Sequence, residues 1–330
     1  MKKVKRNSQL FVKIGSSSEI RILLIIIAIV IFISIASPYF MTISNITDLL
    51  ESISVICIMA YGITFVLLVG GIDLSISSNV AASAMVTGFL HLANVPIFYA
   101  LLGGICTGIV VGLINGAFIE WFGFPDLIVT LAMLSVVRGI VYLAIGNNSL
   151  NGYTSSFYIF ISRGRLFDFL PLLLIINIII LLIISFILFK TRFGRQIFFT
   201  GTNRQAANIS GINTKVLRFL TYVICGLFAG VAGVLFGGRL GGVYPQFAEG
   251  MELTAIAAAV IGGTSLFGGK GSFVGTFLGS VLVGLIGNVL TLLAINQFWN
   301  RIITGCIIII AVIIDSQISK LVKRITKQRN

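Results

Sequence analysis

The residues capable of covalent or metal chemistry are few in this sequence, and they form no catalytic pattern. The 330 residues include one histidine, His91, and four cysteines that all lie inside apolar runs. No Cys-x-x-Cys pair occurs, so neither a disulfide framework nor a zinc site is indicated. We expect the thiols to act as small buried hydrophobes. The sequence therefore predicts no catalytic residue and no metal site.

A glycine-rich turn, Gly268-Gly269-Lys270-Gly271-Ser272, invites comparison with a phosphate-binding loop. That loop needs a glycine six residues before its lysine and a serine or threonine directly after it. This chain has Thr264 and Gly271 at those positions. The pattern fails at both, so we predict no bound nucleotide cofactor and interpret Lys270 as a residue of a tight turn.

The composition indicates a membrane protein. Hydrophobic residues make up 57% of the chain and charged residues 10%, and the mean hydropathy is +1.09. A soluble domain averages about 25% charged residues, so this chain has too little polar surface for a soluble enzyme of its length. We predict a single integral membrane domain over residues 1–330.

Ten apolar runs are long enough, or nearly so, to cross a bilayer at about 20 residues per crossing. They lie at residues 22–40, 51–69, 79–95, 97–119, 126–146, 169–189, 217–237, 252–268, 271–296 and 299–317. The eighth is the weakest, because Glu252 and Gly262-Gly263-Thr264 shorten its apolar part. The predicted fold class is all-α: a polytopic transmembrane helical bundle of about ten spans.

The basic residues predict the orientation of the chain. The net charge is +13, and 18 of the 23 lysines and arginines fall on one side if the N-terminus is cytoplasmic. Cytoplasmic loops of membrane proteins carry such an excess. We therefore predict a cytoplasmic N-terminal segment (1–21), a cytoplasmic loop (190–216) and a cytoplasmic tail (318–330). The charge reflects topology, so no nucleic acid partner is predicted.

Two similar stretches suggest an internal repeat. Gly112-Leu113-Ile114-Asn115-Gly116 in the fourth span resembles Gly284-Leu285-Ile286-Gly287-Asn288 in the ninth. These places are equivalent if the chain has two halves of five spans. An odd number of spans in each half would relate the halves as an inverted repeat, as in many transporters. We therefore expect a 5+5 inverted repeat.

Five polar residues in or beside the predicted spans are candidates for a translocation path or gate. They are Asp73, Asn115, Arg138, Glu252 and Asn288. An ionisable group at membrane depth is costly unless it meets a partner or water. Each candidate also has a structural alternative. The two carboxylates could cap helices, the arginine could meet a carboxylate or a helix C-terminus, and the asparagines could bond across helices.

The loop 190–216 resembles the cytoplasmic loop of ABC importer permeases, which carries Glu-Ala-Ala and a glycine four residues later. Gln205-Ala206-Ala207 and Gly211 match that spacing, with Gln205 in place of the usual glutamate. We predict a short helix at 203–210 that ends at Gly211. The resemblance implies that this loop, with the site residues Arg204, Gln205, Ala206, Ala207 and Gly211, docks into a separate ATPase subunit.

Four further stretches narrow the resemblance to the ribose-type sugar permeases of this family. They are Gly70-Gly71-Ile72-Asp73-Leu74-Ser75, Gly112–Gly116, Arg138-Gly139 and the run from Ala255 to Ser272. The resemblance implies a non-enzymatic subunit of a sugar importer in the bacterial cell membrane, with ribose as the first guess. It also implies ATP use by the partner ATPase, an extracytoplasmic sugar-binding protein, a second permease copy and contact with membrane lipid.

Alternative functions remain open at this stage. Within the ABC importers, the substrate could be a furanosyl signalling molecule or a branched-chain amino acid. An ion-coupled secondary transporter would need paired carboxylates near the membrane midplane. The acidic residues near the membrane, Asp73, Glu120, Asp126 and Glu252, lie mostly at span ends. The predicted outer segment 146–168 is rich in aromatic residues and amides. It suits an interface with a binding protein or an interfacial aromatic belt.

Overall fold

The computed structural model describes residues 18–146, 148–153, 155–296, 298–310 and 313. The helices are α1 Ser18–Ala36, α2 Ile43–Leu68, α3 Ile76–Leu92, α4 Ile97–Glu120, α5 Asp126–Ile145, α6 Ser156–Arg163, α7 Leu172–Lys190, α8 Arg192–Thr202, α9 Arg204–Ile209, α10 Thr214–Leu240, α11 Met251–Ile261, α12 Phe273–Leu292 and α13 Phe298–Ile310. Two short antiparallel ladders pair β1 Leu150–Asn151 with β4 Gly242–Val243 and β2 Arg165–Leu166 with β3 Leu170–Pro171.

The protein is an all-α, polytopic membrane bundle. Over the described ranges, seven helices are long and apolar enough to cross a bilayer: α1, α2, α4, α5, α7, α10 and α12. Three shorter apolar helices, α3, α11 and α13, have 10 to 17 described residues each. The predicted cytoplasmic segments 1–21 and 318–330 lie largely or wholly outside the described residues, as does the end of the predicted tenth span.

The two largest differences between predicted and observed helix boundaries have identifiable reasons. Helix α2 begins at Ile43, eight residues before the predicted start, because its first turns carry polar residues that the apolar run excludes. The predicted span 252–268 is too long, because α11 ends at Ile261. Gly263 has a left-handed φ of +92°. Gly262 packs so closely on α12 that a Cβ there would lie 2.5 Å from the carbonyl carbon of Gly275.

Helix α10 is the central helix of the bundle. It packs against α2, α3 and α4, and most of its middle turns are buried. Its contact with α4 depends on glycines on both helices. A Cβ on Gly108 would lie 2.6 Å from the backbone nitrogen of Gly230, and one on Gly226 would overlap the carbonyl oxygen of Gly108. Small residues let the two backbones approach closely, as is common between membrane helices.

A second central helix, α2, packs in a way that corresponds to the packing of α10. Helix α10 packs on α3 and α4, while α2 packs on α11 and α12. Each of the two central helices therefore contacts a helix pair from the other half of the chain.

The two ends of the bundle contain different elements. The loop 190–216 lies at one end, which we call the loop end, and α6 with the two ladders lies at the opposite end.

The segment between α5 and α7 is anchored by two tyrosines. The Tyr153 hydroxyl donates to the Ala84 carbonyl of α3 at 3.1 Å, and the Tyr158 hydroxyl donates to the Val234 carbonyl of α10 at 2.6 Å. Burial raises the pKa of both phenols, so each stays a neutral donor. Phe157 and Phe160 of α6 remain exposed. The tyrosines are thus fold anchors, whereas the two phenylalanines face outward.

The glycine contact between α4 and α10 leads to a stability prediction. Gly226→Ala should lower the free energy of unfolding by about 1–3 kcal/mol, because the new methyl group overpacks a backbone contact. Gly139→Ala on α5 is the matched control, since nothing lies within 4 Å of a Cβ placed there. Thermal unfolding of the detergent-solubilised protein measures both variants. Equal midpoints for the two would contradict the close contact.

Candidate functional site

The loop 190–216 contains two helices, α8 and the short α9. The side chain of Asn203 caps the start of α9 by accepting a hydrogen bond from the Ala206 N–H at 3.0 Å. At its end, the Gly211 N–H donates to Asn208 O and the Ile212 N–H donates to Ala207 O, both at 3.0 Å. This is a Schellman ending. Gly211 has a φ of +83° with open space around it, so backbone conformation alone favours glycine there.

The predicted loop residues have different environments on α9. Ala207 is fully buried and packs α9 onto the bundle. Ala206 is half-buried and Gln205 is exposed. Ile209 is 89% exposed at the last turn of the helix. One face of α9 therefore packs on the bundle, while the apolar side chain of Ile209 is exposed.

A buried carboxylate attaches α9 to the membrane helices. Glu120, the last residue of α4, has a side chain only 1% exposed. Its Oε2 lies 2.5 Å from Nη2 of Arg204, the first residue of α9, and its Oε1 lies 2.8 Å from Nη1 of Arg218 on α10. One carboxylate thus joins the end of α4, the start of α9 and the first turns of α10.

A second carboxylate extends this arrangement to α5 and to the turn after α2. Asp126 Oδ2 accepts from the Ile72 N–H at 3.0 Å and from the Tyr222 hydroxyl at 3.4 Å. It also lies 3.9 Å from Nη2 of Arg218. We call Glu120, Asp126, Arg204 and Arg218 the loop-end charge cluster. Sequence reasoning did not select Glu120 or Asp126 as site residues, although carboxylates at span ends near a basic loop were a usable signal.

Asp73 and Asn115 belong to one buried hydrogen-bonded group. Asp73 Oδ1 accepts from the Ser75 N–H at 2.9 Å and from the Ser75 hydroxyl at 2.7 Å. Asn115 Nδ2 donates to the same hydroxyl at 2.8 Å. Asp73 therefore fixes the turn that precedes α3 without bonding an N–H of the helix itself, and Asn115 ties that turn to α4. The structural alternative, a bond between elements, describes Asn115, whereas Asp73 bonds Ser75 rather than capping α3.

The sequence suggested a carboxylate or a helix C-terminus as the structural partner of Arg138. Among the described residues, the side chain instead bonds to backbone carbonyls. Its Nη1 donates to the carbonyl of Phe247 at 2.7 Å and to that of Pro245 at 3.3 Å. These carbonyls lie in the irregular segment between β4 and α11, where no helix supplies donors. Glu249 and Glu252 affect Arg138 only through longer-range electrostatics.

Glu252 and Asn288 line a cavity of about 810 Å³ at the opposite end. Helices α2, α11, α12 and α13 form its walls. Asn288 Nδ2 donates to Asn45 Oδ1 at 2.7 Å across the wall. Glu252 lies in the first turn of α11, and its buried Oε2 has no hydrogen-bond partner among the described residues. The five predicted path residues therefore separate into two that line this cavity and three that hydrogen-bond within the bundle.

Charged residues beside the cavity attach the other end of α10. Arg239 Nε lies 3.0 Å from Oε2 of the buried Glu51 on α2. Arg239 Nη2 also donates to the Asp48 carbonyl at 3.1 Å. Arg165 lies 3.8 Å from Glu51 and 3.9 Å from Asp48. Helix α10 is thus paired with buried glutamates near both of its ends.

Comparison with known proteins gives matches along nearly the whole chain. The family described as branched-chain amino acid transport system permease component matches residues 45–312. The D-allose transport system permease protein AlsC of Escherichia coli K12 is 38% identical over 91% of each chain. The ribose import permease protein RbsC of the same strain is 36% identical over 89% of this chain and 92% of its own.

The autoinducer 2 import system permease protein LsrC of Salmonella typhi is 30% identical over 96% of this chain and 89% of its own. No solved structure matches the chain significantly. Members of this family are membrane subunits of ABC importers, and the ATPase of such an importer is a separate subunit. This chain therefore belongs to the branched-chain amino acid transport system permease component family, as a multi-pass membrane permease subunit of the ABC importers rather than an enzyme.

Proposed function

We propose that this chain translocates a monosaccharide, ribose or a related aldose, in an importer driven by a separate ATPase. The similarity to the ribose and D-allose permeases, which covers about nine tenths of each chain, carries the proposal. The autoinducer 2 permease is the less similar relative, at 30% identity, so a furanosyl signalling molecule is the second candidate substrate. ATP is used by the partner, and this subunit contributes the path.

The proposed topology has ten spans with both chain ends in the cytoplasm. The seven long apolar helices, together with the three shorter ones α3, α11 and α13, would supply ten crossings. Exposed basic residues at the loop end, such as Arg192 and Arg195, support a cytoplasmic position for the loop 190–216. The opposite end would then face the extracytoplasmic binding protein.

Two further features of the proposal concern symmetry and partners. Reciprocal packing of α2 and α10, each on a helix pair from the other half, supports a 5+5 inverted repeat. Helix α5 presents large apolar side chains outward, among them Ile128 at 63% and Leu143 at 88% exposure. A second permease copy and membrane lipid would cover such faces.

Alternating access requires that movement of the ATPase reach the membrane helices. We propose that α9 docks on the ATPase through the face that carries Gln205 and Ile209, with Ala206, Ala207 and Gly211 fixing its shape. The Glu120 carboxylate would carry its displacement to α4 and, through Arg218, to α10. Helix α10 has 27 residues and is about 40 Å long. Its movement would therefore reach Arg239 beside the cavity at the opposite end.

Uptake by the reconstituted complex tests the transport function. Proteoliposomes containing the permease, its ATPase and its binding protein should accumulate radiolabelled D-ribose or D-allose only when ATP is supplied on the side of the membrane that carries the ATPase. Leucine is the control substrate for the family's amino acid members. Accumulation of leucine but of no monosaccharide would contradict the proposal, and uptake without any ATPase would indicate a secondary transporter.

Ile209 offers a test of ATPase docking. Ile209→Asp should weaken binding of the isolated ATPase at least about tenfold, equivalent to about 1.4 kcal/mol, because an unpaired carboxylate would enter the interface. Ile209→Leu keeps the apolar contact and is the matched control. Calorimetric titration of the solubilised permease with ATPase measures both. If the Asp variant binds as tightly as the Leu variant, α9 does not dock through this residue.

The loop-end charge cluster can be tested with a double-mutant cycle. Glu120→Gln and Arg218→Gln should each lower the free energy of unfolding, because each leaves a buried charge without its partner. The double variant should lose less than the sum of both, by about 0.5–3 kcal/mol. Thermal unfolding supplies the values, and Arg192→Gln on the exposed face of α8 is the control. Strict additivity would show that the two residues do not interact.

A further inference from the structure

The cavity at the opposite end is accessible from outside the bundle. Asp48 and Phe298 at its rim are 60% and 69% exposed. Its wall on α2 extends from Asn45 to Ile56, eleven residues further along the helix, which corresponds to a wall about 16 Å long. The volume of about 810 Å³ lies in the range of small-molecule sites, roughly 300–1,000 Å³.

The lining combines amides, hydroxyls and a carboxylate with aliphatic walls. Its polar members include Asn45, Ser52, Glu252, Asn288, Thr291 and Arg301. The Asn45 amide donates to the Phe40 carbonyl and to Asn288 Oδ1, and Asn288 donates to Asn45 Oδ1. One N–H of Asn288 and a lone pair on each amide oxygen therefore remain for a ligand. Glu252 Oε2 has no partner among the described residues, and a buried acceptor of that kind requires an explanation.

Carboxylates outnumber cations in the cavity lining, with Asp48, Glu249 and Glu252 against Arg301. Asp48 lies 3.9 Å from Arg165. Glu249 and Glu252 share the cavity with Arg301 and are close enough to Arg138 for an electrostatic interaction. The guanidinium of Arg138 is itself bonded to backbone carbonyls outside the lining. No cation in the described lining is left in excess to bind an anion, and two carboxylates would repel one.

We propose that this cavity is a binding site for an uncharged monosaccharide in the transmembrane part of this chain. The inference rests on the proposed function and deepens it by assigning the site. Sugar hydroxyls would donate to Glu252 and exchange hydrogen bonds with the amides of Asn45 and Asn288, while Leu49 and Val283 contact the apolar ring face. Sugar acids and sugar phosphates are excluded by the carboxylates.

Protection of an engineered thiol tests the site directly. Ser52→Cys places a thiol in the cavity, and Ser149→Cys places one on an exposed residue of the segment between α5 and α7 as the matched control. Both are made in the permease–ATPase complex with the exposed Cys106 and Cys306 replaced by alanine. The measured quantity is the labelling rate with a membrane-impermeant maleimide, with D-ribose, D-allose or D-gluconate added.

We expect D-ribose or D-allose to slow labelling of the Ser52→Cys variant, about tenfold at a concentration ten times the dissociation constant. D-gluconate should leave that rate unchanged, and neither sugar should affect labelling of the Ser149→Cys variant. Equal labelling of the cavity thiol with and without the sugars, or equal protection by gluconate, would overturn the assignment.

A second pair of variants distinguishes occupancy of the cavity from a distant effect of the sugar. Gly287→Leu, which fills the cavity, should abolish sugar protection of the thiol at position 52, whereas Gly305→Leu, outside the lining, should preserve it. Protection that survives Gly287→Leu would place the sugar elsewhere. Monosaccharide uptake by the wild-type complex tests the proposed function separately, so the two failures are distinguishable.

Discussion

The Glu120 carboxylate is the group on which the loop end of this protein depends. Its side chain is almost completely removed from solvent, and a charge in that position is very costly unless it is paired. The two cations that neutralise it come from different elements, Arg204 at the start of α9 and Arg218 on α10. The carboxylate is therefore fully paired only when the end of α4, the loop helix and α10 are assembled together.

This constraint explains why so short a helix can keep a fixed position. Helix α9 has six residues and would not be stable alone, because helices shorter than about 12 residues are marginal in water. The Asn203 cap, the Schellman ending at Gly211 and burial of Ala207 define its shape. The ion pair at Arg204 then fixes its direction relative to α4. A force applied to α9 thus acts on a charged contact rather than on a flexible loop.

The short helix α9 and its end were predictable from sequence, whereas helix α8 and the attachment of the loop to the bundle were not. The end of α9 follows from the glycine requirement at a left-handed position, which involves only neighbouring residues. The partner of Arg204 lies 84 residues away, at a helix end that looked like a simple polar boundary. Likewise, an apolar run predicted a span to residue 268, but α11 ends at Ile261, where Gly262 packs against α12 and Gly263 has a left-handed φ. A carboxylate or a helix C-terminus was the structural partner expected for Arg138, because side-chain patterns do not reveal backbone carbonyls left free in an irregular segment.

The polar residues at the two ends of the proposed path differ in their capacity to form hydrogen bonds with a sugar. Asp73, Ser75 and Asn115 bond to one another near the loop end and are all buried, so a sugar outside the bundle does not reach them. Glu252 and Asn288 instead retain hydrogen-bonding capacity at the opposite end, in a cavity open to the exterior. Under the proposed function, this arrangement is an outward-open state.

Passage to the cytoplasm would then require the Asp73 group to exchange partners. That group is joined to the loop-end charge cluster, because the Ile72 N–H, one residue before Asp73, donates to the Asp126 carboxylate. Asp126 in turn lies beside Arg218, the cation that α10 contributes to Glu120. Under the proposed function, the residues that would receive the force from the ATPase are thus adjacent to those that would rearrange.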